Sequence, residues 1–140
     1  MYEFRYDRLV EIKEKLLEQK QRELETARMA LAAIAKEIAR VEGESASAYN
    51  DMATRLLTGK ELSILTGYLS YLDVSKKQLL NERREREKKA VVIRNALLAL
   101  EMELKVFEKL KFRVLQRIKK ARNRKEQKLM DDLALRTEAK

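Results

Sequence analysis

Apolar residues recur along residues 90–121 at alternating steps of three and four: Ala90, Ile93, Leu97, Leu100, Leu104, Phe107, then Lys111 as the one exception, Val114, Ile118 and Ala121. That spacing lays a narrow stripe along one side of a helix, the pattern by which two helices wind round each other. The first half carries its own register: Leu24, Ala27, Leu31, Ile34, Ile38, Val41, Ser45, Ala48 and Met52. Further toward the start, Leu9, Ile12, Leu16 and Leu17 are expected to continue this stripe with a small phase slip, and Asp7 to cap its beginning. The pattern predicts one helix over about residues 5–57, roughly 80 Å at 1.5 Å per residue.

Glycine is the only punctuation, because the chain has no proline. Gly43 lies in phase with a stripe that runs on to Met52, so the helix is expected to continue through it as a soft spot. The turn is placed near Thr58-Gly59, within about residues 57–62. There Thr58 and Glu61 have the spacing of a capping box, in which hydroxyl and carboxylate each satisfy a free backbone N–H. Ser70 and Asp73 repeat that spacing after Gly67 and allow a short helical segment first. A second helix then runs over about residues 62–136. Lys76, Arg83 and Arg86 interrupt its seam, so residues 76–87 should be looser.

Together these elements predict an all-α chain: one elongated domain over residues 1–140, a long antiparallel coiled-coil hairpin of two unequal helices. A turn at residue 59 pairs positions whose numbers sum to about 118, setting Leu24 near Ile93 and Arg94, and Phe4 near Val114. Residues beyond about 116 are left as an overhang.

Charge changes the picture most at that overhang. Lys, Arg, Asp and Glu make up 39% of the chain, and the net charge is +9. Residues 1–57 sum to −1 and residues 58–140 to +10, with the densest run at Arg117, Lys119, Lys120, Arg122, Arg124, Lys125 and Lys128. Such a tract can neutralise nucleic-acid phosphates, stand as a solvated face, or insert into an acidic protein surface. No aromatic residue is interleaved between 113 and 140 to stack on bases.

Catalytic chemistry finds little purchase. Histidine and cysteine are absent, which removes the imidazole base, the thiolate and the Cys/His zinc site. Gly59-Lys60 is followed by Glu61 and has Thr54 where a phosphate loop needs its first glycine. The adjacent carboxylates Asp131 and Asp132 point about 100° apart on a helix and do not converge on one atom. No catalytic residue, metal site or cofactor is expected. No signal peptide or membrane span is expected either, which suits a cytosolic protein that docks on a membrane-bound machine. Near the bend, Tyr68 and Tyr71 cannot both share a narrow seam with Leu69 and Leu72. At least one tyrosine should be exposed as a contact anchor.

Two terminal segments carry a resemblance. Phe4-Arg5-Tyr6-Asp7-Arg8-Leu9 leads into Leu16-Leu17-Glu18-Gln19-Lys20-Gln21-Arg22-Glu23-Leu24, and Arg124-Lys125-Glu126-Gln127-Lys128-Leu129-Met130-Asp131-Asp132-Leu133-Ala134 stands at the other end. The chain resembles the FliJ family, the coiled-coil component of the flagellar type III export apparatus, over essentially its full length. The resemblance implies a non-catalytic protein like the central stalk subunit of rotary ATPases. Such a protein binds and stimulates a hexameric export ATPase, contacts the membrane-embedded export gate and escorts export chaperones. It would work in the cytoplasm, at the inner face of the membrane at the flagellar base.

Carried onto this sequence, the ATPase-contacting end comprises Phe4, Leu9, Arg117, Lys120, Arg124, Lys128, Met130 and Asp132, and the gate-contacting end Tyr68, Tyr71 and Leu72. Ser75 and Gln78 depart from an apolar gate-binding stripe. Three other readings remain open: the equivalent stalk of a virulence secretion system, a nucleic-acid-binding coiled coil, and a scaffold dimerising through Leu129 and Leu133.

Overall fold

The computed structural model describes residues 4–138. They form two helices, α1 (Asp7–Thr54) and α2 (Gly59–Glu138), with no strand among the described residues. The helices run antiparallel as a coiled-coil hairpin, the fold class expected from the periodicity. Cross-helix ion pairs give the register: Glu42 with Lys76 and Asp7 with Lys111 both have numbers adding to 118.

Both heptad series face inward, the second as far as Ile118; Ala121, expected to end it, is exposed. In α1, Leu24, Ile34, Ile38, Val41 and Ala48 are buried, while Ala27, Leu31, Ser45 and Met52 are half-buried. In α2, Leu97 is buried, and Ile93, Leu100, Leu104, Phe107, Val114 and Ile118 are half-buried. Gly43 stays helical, and so does Gly67. The short segment ahead of Ser70 therefore does not exist as a separate element. Asp73 makes an ion pair with Lys77 one turn on instead of capping a new start.

Two boundaries differ from expectation. α1 ends at Thr54, three residues early, and the turn occupies residues 55–58. At the start of α2 the Glu61 N–H donates to the Thr58 hydroxyl at 3.2 Å, and the Leu62 N–H donates to the Thr58 carbonyl at 3.0 Å. Thr58 is thus the N-cap, and Gly59 the first helical residue. Asp7 does not act as the cap of α1. It lies in the first turn, and its carboxylate accepts from Lys111 Nζ at 3.2 Å.

The chain divides into two compact units, Glu18–Leu97 and the pairing of Met1–Leu17 with Leu98–Lys140. In the first, α1 supplies most of the buried residues and α2 supplies Leu72 and Leu97. In the register facing Ile34–Val41, α2 carries Leu79 with Lys76 and Arg83, all half-buried. Lysine and arginine can lay their aliphatic stems along a seam and keep the charge in water. In the second unit Phe4 is buried and closes the seam. Its ring meets Tyr6 edge-on at 5.6 Å, Tyr6 packs on Phe107 at 5.6 Å, and Lys111 Nζ lies 5.9 Å from the Phe4 ring centre.

The phase slip expected at the start of α1 is absent. The seam there continues in strict register through Tyr6, Val10, Lys13, Leu17 and Lys20, all half-buried, while Leu9, Ile12 and Leu16 are exposed. A continuous α-helix holds its phase, so the register set by Leu24–Met52 dictates which stripe turns inward. Lys13 is accommodated because it forms an ion pair with Glu103 of α2.

Two stability outcomes follow from this packing. Leu72→Ala should cost roughly 2 to 4 kcal/mol in urea denaturation, since Leu72 is 2% exposed. Gly43→Ala should instead stabilise by about 0.5 to 1 kcal/mol, because a Cβ there meets nothing within 4 Å.

Candidate functional site

Charge is distributed unevenly along α2. From residue 119 to 138 every position is exposed. Within this stretch and the turn before it, Arg117, Lys120, Arg124 and Lys128 recur at i, i+3, i+7 and i+11, so helical geometry gathers them on one face. Arg113 extends the stripe one turn earlier. Lys119, Arg122 and Lys125 project from other faces of the same turns. Among the described residues none of these cations has an ion-pair partner, whereas cations of the paired region do, as at Lys13, Lys76 and Lys111.

The other residues carried over for the ATPase-contacting end relate to that stripe differently. At 100° per residue, Met130 lies about a third of a turn round from Arg124, whereas Asp132, one turn beyond Lys128, lies about 40° from it at the stripe's edge. Both are exposed. Phe4 is 5% exposed beneath Lys111, so its ring is a seam plug in this structure. Leu9 is exposed on α1.

Near the bend, the three residues carried over for the gate-contacting end divide in the same way. Leu72 is buried in the seam. Tyr71 is 66% exposed, and its hydroxyl has no hydrogen-bond partner among the described residues. Tyr68 is exposed too, but its hydroxyl donates across the hairpin to Glu44 Oε2 at 2.7 Å. Glu44 also accepts from Arg40 at 2.6 Å, and Arg40 reaches Glu37 as well. The Tyr68 hydroxyl, then Arg40, holds the Glu44 carboxyl below its usual range, and Glu44 in turn raises the Tyr68 phenol. Ile64, exposed, shares the face of Tyr68 and Tyr71 at i, i+4 and i+7. Sequence reasoning missed it, although that spacing was visible.

No group of three or more His, Cys, Asp or Glu among the described residues is placed to hold a metal. No described helix is long and apolar enough to cross a membrane. What the described residues offer is a cationic helix face and a partly exposed tyrosine face. A model of the flagellar FliJ protein family matches residues 2–140.

The chain belongs to the FliJ family. FliJ-family membership makes it a component of the flagellar export apparatus, in a family of structural export components. No curated protein and no solved structure matches it.

Tyr68→Phe should return the Glu44 pKa upward toward the ordinary carboxylate value, as read from carboxyl chemical shifts in an NMR titration. The bond stabilises the hairpin above the ordinary carboxylate pKa, and that contribution is lost as pH falls through the lowered folded value. At the alkaline end the raised Tyr68 phenol gives the opposite sign: its contribution is present below the ordinary tyrosine pKa and is lost as pH rises through the folded value. An unchanged Glu44 titration in the Phe variant would show that the hydroxyl is not the cause.

Proposed function

We propose that this FliJ-family chain is a stalk-like, non-catalytic coiled coil that binds the hexameric flagellar export ATPase and stimulates it. In this reading the exposed end of α2 enters the ATPase ring, and the end near Tyr68, Tyr71 and Leu72 contacts the cytoplasmic part of the export gate. The same protein escorts export chaperones. It works in the cytoplasm, peripheral to the inner face of the membrane at the flagellar base.

The observation that carries this reading is the unpaired stripe of Arg117, Lys120, Arg124 and Lys128 on the part of α2 where nothing is buried. A row of cations with no internal partner gains most from an acidic protein surface, where complementary charge speeds encounter and fixes orientation. Phe4, Leu9, Met130 and Asp132 complete the ring contact, with Phe4 supporting it from beneath. α2 is a single unbroken helix of 80 residues. The Tyr71 side chain, large and exposed with a free hydroxyl, is suited to anchor the gate contact.

Reversing Arg117, Lys120 and Arg124 to Glu should weaken binding to the purified export ATPase by about tenfold or more and remove its stimulation. Circular dichroism should be unchanged, because none of the three is buried or paired. Binding by the wild-type protein should also fall steeply with added salt. Undiminished binding and turnover with the reversed variant would refute the cationic contact. Retained salt-sensitive binding to duplex DNA, without any effect on the ATPase, would favour the nucleic-acid reading.

A further inference from the structure

The two flanks of the hairpin in the unit built from Met1–Leu17 and Leu98–Lys140 have opposite character. One is a cleft lined by Phe4, Val10, Leu104 and Phe107, with the carboxylates Asp7, Glu14 and Glu108 along it beside Lys111. The other holds large aliphatic side chains. Leu9, Ile12 and Leu16 recur there at i, i+3 and i+7 and are 41%, 52% and 42% exposed. The bond from Lys13 to Glu103 identifies the α2 face on that side. Leu110, one heptad beyond Glu103, and Val106 between them belong to the same face, at 37% and 64% exposure.

The rim of this trough has one sign of charge. On α1, Arg8 and Lys15 border the stripe, and Arg5 stands just ahead of the helix with its guanidinium over the Tyr6 ring; on α2, Arg113 borders it. None of the four has an ion-pair partner among the described residues. Among the described residues the carboxylate on this flank, Glu103, is already taken by Lys13. Glu11 and Glu14 project at least about 100° round α1 from each of the three aliphatic residues.

We infer that this trough is a docking site for an amphipathic helix of a partner protein, one whose apolar stripe is bordered by carboxylates. Leu9, Ile12 and Leu16 on α1, with Val106 and Leu110 on α2, stand partly exposed in helical rows among which a third helix can lay its own apolar side chains, completing a three-helix bundle. A flat bilayer would reach only the tips of these trough residues. A second copy of the same face would set cations against cations, which disfavours that occupant. The site needs no ATPase ring: Leu9 also belongs to the contact proposed above and Arg113 to the cationic stripe, but Ile12, Leu16, Val106 and Leu110 take part in neither.

The test uses the full-length protein and two synthetic three-heptad helices with the same Leu/Ile stripe, one flanked by Glu and one by Lys, with binding read by fluorescence anisotropy. The Glu-flanked helix should bind about tenfold or more tighter than the Lys-flanked one. The double variant Ile12→Ser, Leu16→Ser keeps every charge and should lose about tenfold or more of that affinity while its circular dichroism stays the same. Reversal of Arg5, Arg8 and Lys15 to Glu should transfer the preference to the Lys-flanked helix.

Failure of both helices to bind, or equal affinity for wild type and the double Ser variant, would overturn the inference. So would loss, in that variant, of self-association seen by sedimentation, or of binding to anionic phosphatidylserine vesicles. Those results would assign the trough to a second copy or to a lipid surface. Because no ATPase enters the experiment, its outcome is independent of whether the ring contact holds.

Discussion

A seam only one heptad stripe wide holds this protein together, and most of its other properties are consequences of that narrowness. Coiled-coil packing buries the a and d residues of each helix and leaves the rest of the circumference in water. The structure follows that rule closely. Val41 and Leu72 are each 2% exposed, yet large aliphatic and aromatic residues stand exposed along both helices. With so little core, a single wrong register would cost few contacts, and alignment needs further specification. The seam supplies it with polar members. Lys13 reaches Glu103, Lys76 reaches Glu42 and Lys111 reaches Asp7, each bond crossing from one helix to the other. Exposed pairs of this kind contribute little stability, but a shifted alignment would leave seam cations without partners.

Unequal helix lengths leave part of α2 outside this packing. α1 has 48 residues and α2 has 80, and the partner of Lys111 is already the first residue of α1. Among the described residues no second helix covers the remaining turns of α2, and the densest run of cations lies there, mixed with exposed leucines, Met130 and a few carboxylates. Like charges on one helix face repel, a cost that water screens and an acidic partner surface would convert into attraction. Burial and exposed charge are therefore separated along α2. The residues that hold the hairpin lie before about residue 118, and the exposed cations follow.

The part near the bend shows a different compromise. Tyr68 is tied to Glu44 while Tyr71, three residues on, is not, although both are exposed. The first tyrosine helps fix the hairpin by a charge-assisted hydrogen bond, and the second keeps its whole polar tip available. Leu72, next in sequence, is wholly enclosed. Three neighbouring residues carried over as one contact patch thus have three different structural roles, set by their rotation about the helix axis.

Local and periodic features were legible from the residues alone. The heptads over 24–52 and 90–118, the hydroxyl of Thr58 at the start of α2, continuity through Gly43 and the concentration of charge after residue 116 all depend on neighbours a few positions away. The i, i+3, i+7, i+11 spacing of Arg117, Lys120, Arg124 and Lys128 is equally local. The first turns of α1 were not decidable in that way, because two stripes compete there: Leu9, Ile12 and Leu16 are the more apolar, Val10, Lys13 and Leu17 the better in phase. Hydrophobicity by itself favours burying the first set. Continuity of α1 with its zipped central heptads, together with a carboxylate on α2 opposite Lys13, turns the second set inward. That choice depends on a partner ninety residues away, and it leaves an aliphatic trough on the surface that periodicity alone would have hidden.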